Sequence, residues 1–149
     1  MTTVTISPGS ALHAGHIGAI LAATNEQLPW LPRVHSGAEE IRYAGDMIEA
    51  GWITVAKLDN KVVGFMAVYE QTIYALYVLP EMQNQGIGTM LLDKAKAEND
   101  TLTLWSYVQN AQATRFYGLR GFSEVDRTDG SGNDAGLPDI CFEWSSGKS

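Results

Sequence analysis

Residues 73–98 contain the feature that most limits how this chain can fold, because a strand, a glycine-containing turn and a helix follow one another directly. Residues 73–79 are rich in β-branched and aromatic residues, and Pro80, which has no N–H to donate, ends the strand. One stripe of the following helix carries Ile87, Leu91, Leu92 and Ala95. Orphan N–H groups and the positive end of the helix dipole meet at this turn, which therefore predicts an anion-binding site that suits a phosphate.

The turn itself has the spacing Gln83-x-x-Gly86-x-Gly88. Glycines permit left-handed backbone and close approach of another group, so a tight turn with close helix–strand packing is one interpretation. A dinucleotide-binding fingerprint would need a third glycine at position 91, where this chain has Leu91. A nucleotide-dependent oxidoreductase is therefore disfavoured.

Length and charge exclude several other classes. The 149 residues are 45% hydrophobic with a formal net charge of −7, as expected for one domain spanning 1–149. The negative charge argues against nucleic acid and anionic membranes as partners, and no apolar run has the length of a membrane span. The first five residues lack the features of a signal peptide, so we expect a cytoplasmic protein. His13 and His16 lack a third ligand-type residue nearby, so we expect no metal.

The order of elements predicts a mixed sheet. Three successive strands after two helices should form an antiparallel meander, and a helix then connects the third of them to a parallel strand. The predicted strands are 3–7, 52–58, 62–70, 73–79, 101–108, 122–127 and 138–144. Asp59-Asn60 tolerates the left-handed backbone of a tight hairpin between the second and third of the predicted strands, and a short turn precedes the fourth. The predicted helices are 11–24, 36–51, 86–98 and 110–119, and Ser36-x-x-Glu39 has capping-box spacing at the start of the second helix.

A second block, Asn110-x-x-Ala113-x-x-Phe116-Tyr117-x-x-x-Gly121-Phe122, lies on the helix that follows the parallel strand. Spacings of three and seven place Asn110, Ala113 and Tyr117 on one helical face, which can look at a ligand lying along the helix. The alternative is that Asn110 caps the helix and that the two aromatics pack on the sheet.

The two blocks together resemble the GNAT superfamily of acetyl-coenzyme A-dependent N-acetyltransferases. The resemblance rests on the glycine turn with Val78-x-Pro80 before it and Leu91-Leu92 after it, and on the helix block in the right order. It covers residues 73–122. It implies an α/β (α+β) GNAT fold, with a mixed, mostly antiparallel central sheet of about seven strands and helices on both faces.

The resemblance also implies the chemistry, in which an amine attacks the thioester of acetyl-CoA directly and passes through a tetrahedral intermediate. Val78 would aim its backbone N–H at the thioester oxygen, and Tyr117 would protonate the departing thiolate. With ordinary pKa values, that proton transfer is uphill by only about 2 kcal/mol. The implied cofactor-binding residues are Leu76, Tyr77, Val78, Gln83, Asn84, Gln85, Gly86, Ile87, Gly88, Thr89, Asn110, Phe116 and Tyr117.

Several assignments stay open at this stage. Gln83 either bonds the cofactor or shapes the turn, and Asn110 bonds the cofactor or an ordered water. The nearest carboxylates that can serve as general base are Glu70 and Glu81, and further candidates are His35, Glu39 and Glu40.

The acceptor side is bordered, by the same resemblance, by the apolar loop 27–35, the start of the second helix and the loop 128–137. Trp105 and Tyr107 either point into the site or pack in the core. Acidic groups at Glu39, Glu40, Asp129 and Asp134 can attract an amine or merely form a solvated rim.

We expect a primary amine as acceptor, and a small molecule in particular, because the chain is short and has no added recognition domain. Peptide N-termini and protein lysines remain open as acceptors. The alternative function is a non-catalytic acyl-CoA-binding regulatory module. A homodimer is compatible with the apolar strands near the C-terminus.

Overall fold

The computed structural model describes residues 3–32 and 36–147. Its strands are β1 Val4–Pro8, β2 Ile53–Leu58, β3 Lys61–Tyr69, β4 Thr72–Val78, β5 Thr101–Tyr107, β6 Ser123–Thr128 and β7 Asp139–Ser145. The α-helices are α1 Ala14–Glu26, α2 Gly37–Glu49, α3 Ile87–Glu98 and α4 Ala111–Leu119. A 3₁₀ turn at Ala11–His13 leads into α1, so the first predicted helix starts with a tighter turn than expected.

The seven strands form one sheet in the order β1-β2-β3-β4-β5-β7-β6. Only β4 and β5 run parallel, and α3 connects them as the predicted crossover. The prediction of a mixed, mostly antiparallel sheet is confirmed.

Tight turns set the register of the meander. Asp59 and Asn60, with φ of 52° and 64°, make the left-handed hairpin expected between β2 and β3. Glu70 and Gln71 make a similar turn between β3 and β4, with φ of 47° and 75°. Neither Glu nor Gln favours positive φ, so the sequence indicated only a short turn there.

Alternate residues of the central strands pack on opposite faces of the sheet. Val55, Phe65 and Ala67 belong to the core under α1 and α2, whereas Ala56 and Met66 belong to the core under α3 and α4. The predicted stripe of α3 is buried in the second of these cores. Helices therefore cover both faces, as expected.

The parallel pair β4 and β5 separates soon after it forms. The recorded pairing is Thr72 with Thr103, and the Thr103 N–H donates to the Gln71 carbonyl at 2.8 Å. An extra residue, Tyr74, bulges β4 against β3, because Ala67 faces Ala75 while Val68 faces Ile73. The bulge bends β4 away from β5. We call the resulting gap between residues 75–78 of β4 and 104–107 of β5 the notch.

Candidate functional site

The turn before α3 presents its backbone to solvent. Asn84 and Gly86 have φ of 64° and 84°, and Gly86 occupies the N-cap of α3 without a side chain to cap it. The N–H groups of Ile87, Gly88 and Thr89 therefore have no acceptor within the helix. A Cβ added at Gly86 would meet no atom within 4 Å, so the space in front of the turn is open. These features fit a diphosphate held by main-chain N–H groups.

Gly88, unlike Gly86, lies in close contact with neighbouring side chains. A Cβ added at Gly88 would lie 3.3 Å from the Phe116 ring, with Val78 at 3.9 Å. The absence of a side chain thus lets α4 pack against the start of α3. Of the two interpretations of the glycines, the open anion site applies to Gly86 and close packing applies to Gly88.

Arg120 brings a positive charge to this turn. Its Nε donates to the Thr89 hydroxyl at 2.8 Å, its Nη1 donates to the Phe116 carbonyl at 3.1 Å, and its guanidinium lies 3.9 Å from the centre of the Phe116 ring. These contacts fix the guanidinium beside the first turn of α3. Although the net charge of the protein is negative, this local positive charge favours binding of an anion beside the first turn of α3.

Gln83 bonds within the protein. Its Nε2 donates to the Val78 carbonyl at 3.0 Å and to the Gln27 Oε1 at 2.9 Å. These bonds tie the turn to the end of β4 and to the end of α1. The geometry therefore favours the interpretation in which Gln83 shapes the turn.

Val78 borders the notch with its backbone. The N–H of Leu79 donates to the Val63 carbonyl of β3 at 2.8 Å, so the preceding N–H, that of Val78, points the other way along the alternating ladder. The Val78 N–H therefore points into the notch, where β4 and β5 no longer pair. Leu76 has the same backbone orientation.

Tyr117 of α4 is buried in the core of the α3–α4 face. Its ring packs against Phe116, Phe122 and Phe142 at centroid distances of 5.2, 5.5 and 6.3 Å. Burial, and then the neighbouring Tyr77, raise the pKa of Tyr117 well above its usual range. The phenol thus keeps its proton at neutral pH, and in the ligand-free protein the transfer to a thiolate is more uphill than the ordinary pKa values suggest.

Asn110 caps α4, since its Oδ1 accepts a hydrogen bond from the Ala113 N–H at 3.1 Å. The interpretation in which Asn110 caps the helix therefore applies. A ligand or water contacting this side chain would meet its Nδ2 donors.

A pocket of about 550 Å³ opens on the opposite face of the sheet. Tyr77 of β4 and Tyr107 of β5 both line it, so it meets the notch from the α1–α2 side. The end of α1, the loop after it and α2 supply the remaining walls. Trp30 packs edge-on against Tyr107 with ring centres 6.0 Å apart. The apolar loop beginning at residue 27 thus forms part of the pocket wall, on the side where the sequence predicts the acceptor.

One carboxylate inside this pocket is buried. Glu40 is 8% exposed, and its Oε1 accepts a long bond of 3.4 Å from Asn25 Nδ2. Its Oε2 is buried and has no hydrogen-bond partner in the part of the chain that the structure describes. Burial raises the pKa of Tyr77, and the nearby Tyr107 and Glu40 raise it further.

The other candidates for the general base lie in different parts of the structure. Glu70 lies in the hairpin turn at the start of β4, the opposite end of that strand from Val78, so it is not brought to the notch. Glu81 is exposed in a 3₁₀ turn after β4. Glu39 accepts a bond from the Ser36 N–H in the predicted capping box. His35 lies outside the described residues.

The two aromatic residues of β5 lie in different environments, and so do the two acidic residues of the loop 128–137. Tyr107 lines the pocket, whereas Trp105 is 50% exposed and does not line it. Asp134 stands at the pocket rim, and Asp129 accepts a bond from the Ser131 N–H, which lowers its pKa. Residues 3–32 and 36–147 contain no cluster of three metal-ligating side chains and no helix long and apolar enough to cross a membrane.

Sequence reasoning missed two residues of the site and the burial of a third. Arg120 stands four positions after Phe116, a spacing that places a cation over a ring on one helix, and this signal could have been used. The pairing of Gln27 with Gln83 spans 56 positions, and the burial of Glu40 depends on packing against α1. Neither has a signature in the sequence.

Comparison with known proteins adds independent information. A family model described as an acetyltransferase (GNAT) domain matches residues 49–124. The peptidyl-lysine N-acetyltransferase YjaB of Salmonella typhimurium is 36% identical over 78 residues, which cover 52% of this chain and 53% of that protein. The chain spans about half the length of the curated relatives it matches first.

Solved structures extend the fold likeness to the whole chain. The apo form of YjaB from Escherichia coli superposes with a TM-score of 0.80 at 22% identity, covering 95% of this chain and 97% of that one. The PaiA N-acetyltransferase from Thermoplasma acidophilum, solved in complex with coenzyme A, has a TM-score of 0.76 at 21% identity, covering 96% and 99%. The seven-stranded open sheet with four helices is the fold of these proteins.

Proposed function

Because the chain belongs to the GNAT acetyltransferase family, we propose that residues 1–149 form an N-acetyltransferase domain that transfers acetyl from acetyl-CoA to a primary amine. The single observation that carries the proposal is the open, glycine-capped start of α3 beside the notch that the Val78 N–H faces. A cytoplasmic location and a homodimer stay predictions.

The residues of the α3–α4 face fit the cofactor. N–H groups from Gln85 to Thr89 bind the diphosphate, and the Arg120 guanidinium adds a positive charge beside them. Leu76, Tyr77 and Val78 border the path of the pantetheine through the notch. Phe116 and Asn110 line the α4 side, with the Asn110 amide donating from Nδ2. Acetyl-CoA is a co-substrate here and no metal is required.

The residues at the notch serve the acyl transfer. The acceptor nitrogen first forms a bond to the acetyl carbon and gives a tetrahedral intermediate. The carbon–sulfur bond then breaks, so coenzyme A leaves as a thiolate that needs one proton. Tyr117 supplies that proton, and the Val78 N–H bonds the oxygen on which charge develops. Loss of one donor of this kind in a dry site raises the barrier by roughly 3 kcal/mol. The acceptor loses its ammonium proton before attack and a second proton after it.

We favour a small-molecule amine as acceptor, since the pocket beside the notch has the size of a small-molecule site. A peptide lysine is the second candidate, because relatives of this chain are named peptidyl-lysine N-acetyltransferases. Both acceptors present a primary amine to the same notch.

The proposal is tested by measuring free thiol from acetyl-CoA across a panel of amines and lysine peptides. Thiol release that depends on the acceptor, with the acetylated amine found by mass spectrometry, is the expected result. Tight binding of coenzyme A without acceptor-dependent release would instead favour a non-catalytic acyl-CoA-binding regulatory module. Absence of coenzyme A binding would overturn both.

A further inference from the structure

We propose that the carboxylate of Glu40 binds the ammonium group of the acceptor, and that the pocket around it selects a compact primary amine on an apolar body. This inference rests on the proposed function, since it names the acceptor class of the same site. It starts from the buried side chain of Glu40, whose Oε2 has no hydrogen-bond partner among the residues that the structure describes.

Glu40 lies in the first turn of α2 and faces the pocket rather than solvent. A buried carboxylate is costly unless its oxygens are paired, and here Oε2 has no partner among residues 3–32 and 36–147. The bond from Asn25 to Oε1, at 3.4 Å, is weak. An unpaired carboxylate oxygen on a residue that lines a cavity suits a cationic ligand, because the ligand can supply the missing donor.

The walls around this carboxylate are mostly apolar. Leu21 of α1 and the loop residues Leu28, Pro29, Leu31 and Pro32 contribute carbon atoms, and the three tyrosines 43, 77 and 107 contribute rings. The other two carboxylates of the lining, Glu26 and Asp134, are exposed and therefore solvated. One buried anion in an apolar, aromatic pocket matches one ammonium on an apolar body. A second ammonium of a polyamine would meet only the solvated carboxylates Glu26 and Asp134, whose pairing contributes little.

The same pocket leads to the reacting end of the site. Tyr77 links the two regions, since it lines the pocket together with Glu40 and belongs to the part of β4 that borders the notch. Tyr107 stands across the notch from it. An amine held at Glu40 therefore lies on the acceptor side of the notch, opposite the helix turn proposed for the diphosphate.

The test measures amine binding by calorimetry on the protein without acetyl-CoA. The probes are 2-phenylethylamine, its anionic counterpart 3-phenylpropionate, spermidine and Nα-acetyl-lysine amide. We expect 2-phenylethylamine to bind the wild-type protein at least tenfold more tightly than each of the other three. Glu40→Gln should weaken 2-phenylethylamine at least tenfold, and the matched control Glu26→Gln, an exposed carboxylate of the same pocket, should change it less than twofold.

A structural role for Glu40 is separated by thermal unfolding. Gln keeps the acceptor for Asn25 and removes the unpaired charge, so Glu40→Gln should melt no lower than the wild type and should bind coenzyme A within twofold. A fall in melting temperature together with unchanged amine affinity would assign Glu40 to the fold and overturn the inference. Tighter binding of the lysine amide than of 2-phenylethylamine would overturn the apolar-amine class.

The two proposals fail in different ways. Binding of coenzyme A without binding of any amine probe would overturn the ammonium site and leave the cofactor site standing. Glu40-dependent amine binding in a protein that does not bind coenzyme A would overturn the acetyltransferase proposal and leave the ammonium site standing.

Discussion

The two faces of the sheet are built to bind their proposed ligands by different means. On the α3–α4 face the binding groups are main-chain N–H groups at a helix start, supported by one arginine. On the α1–α2 face they are side chains from several separate segments, with a single buried carboxylate among apolar walls. A site made of main-chain N–H groups keeps its binding groups when side chains are substituted. A site made of side chains can change its ligand when one of them is substituted. The comparison predicts that mutations on one face alter cofactor binding and those on the other alter the acceptor.

The largest expected effect comes from the residue at the junction of the faces. Tyr117→Phe removes the proposed proton donor while keeping the ring and its aromatic contacts. We expect turnover to fall at least tenfold while coenzyme A affinity stays within a few-fold. Steady-state kinetics and calorimetry measure the two quantities, and Tyr74→Phe, an exposed tyrosine elsewhere on the sheet, is the control. Unchanged turnover in Tyr117→Phe would remove Tyr117 from the mechanism.

The second prediction distinguishes a role of Gly86 in cofactor binding from the strain that alanine causes at any left-handed glycine. Gly86 and Gly51 both have left-handed φ, of 84° and 81°, and a Cβ at either would meet nothing within 4 Å. Replacement of either by Ala should cost about 1 to 2 kcal/mol of unfolding free energy, the usual penalty for left-handed Ala. Only Gly86→Ala should also weaken coenzyme A, by up to about tenfold, because a turn that relaxes away from the left-handed conformation must be restored before its N–H groups bind the diphosphate.

Denaturant unfolding and cofactor titration compare the two alanine variants directly. Amine binding should be unchanged in both, because neither glycine lines the acceptor pocket. Equal loss of coenzyme A affinity at Gly51 and Gly86 would contradict a cofactor site at the start of α3.

A smaller effect is expected from Arg120, the cation that the described part of the chain places at the backbone site. Arg120→Gln removes the charge beside Thr89, and a partly exposed charge contributes up to about 1 kcal/mol, which corresponds to about fivefold in coenzyme A affinity. Added salt should shrink the difference between variant and wild type. The control is Arg115→Gln, an exposed arginine on the same helix. A loss that does not depend on salt would assign Arg120 to packing on Phe116.

The same comparison explains what the sequence could predict. The α3 turn and the α4 helix are local, so Gly86, Gly88, Asn110 and Tyr117 appear at fixed spacings and the fold followed from them. Prediction was also sound for the left-handed hairpin at Asp59, because Asn and Asp favour that conformation. The hairpin at Glu70 was less clear, because strand pairing overrides the preference of its residues.

The acceptor face could not be predicted in this way. Glu40 was one of several acidic residues with equal claims, because its burial arises only when α2 packs beside α1 and Tyr77. Gln83 was ambiguous for the same reason, since its partner Gln27 comes from the end of α1. Sites made of local backbone leave a pattern in the sequence, and sites made of distant side chains do not.

The last effect is absent at neutral pH and appears only in alkaline solution. Burial is the main cause that raises the pKa of Tyr77, Tyr107 and Tyr117 in the folded protein. Above pH of about 10, the ordinary tyrosine value, the unfolded chain releases these protons while the folded chain keeps them. The unfolded state then binds fewer protons, so the free energy of unfolding must fall as the pH rises. Tyr117→Phe removes one contributor and also relieves its coupling to Tyr77, so the fall should be shallower than in the wild type. Denaturant unfolding at several alkaline pH values measures both slopes, and equal slopes would show that Tyr117 is not held protonated beside the notch.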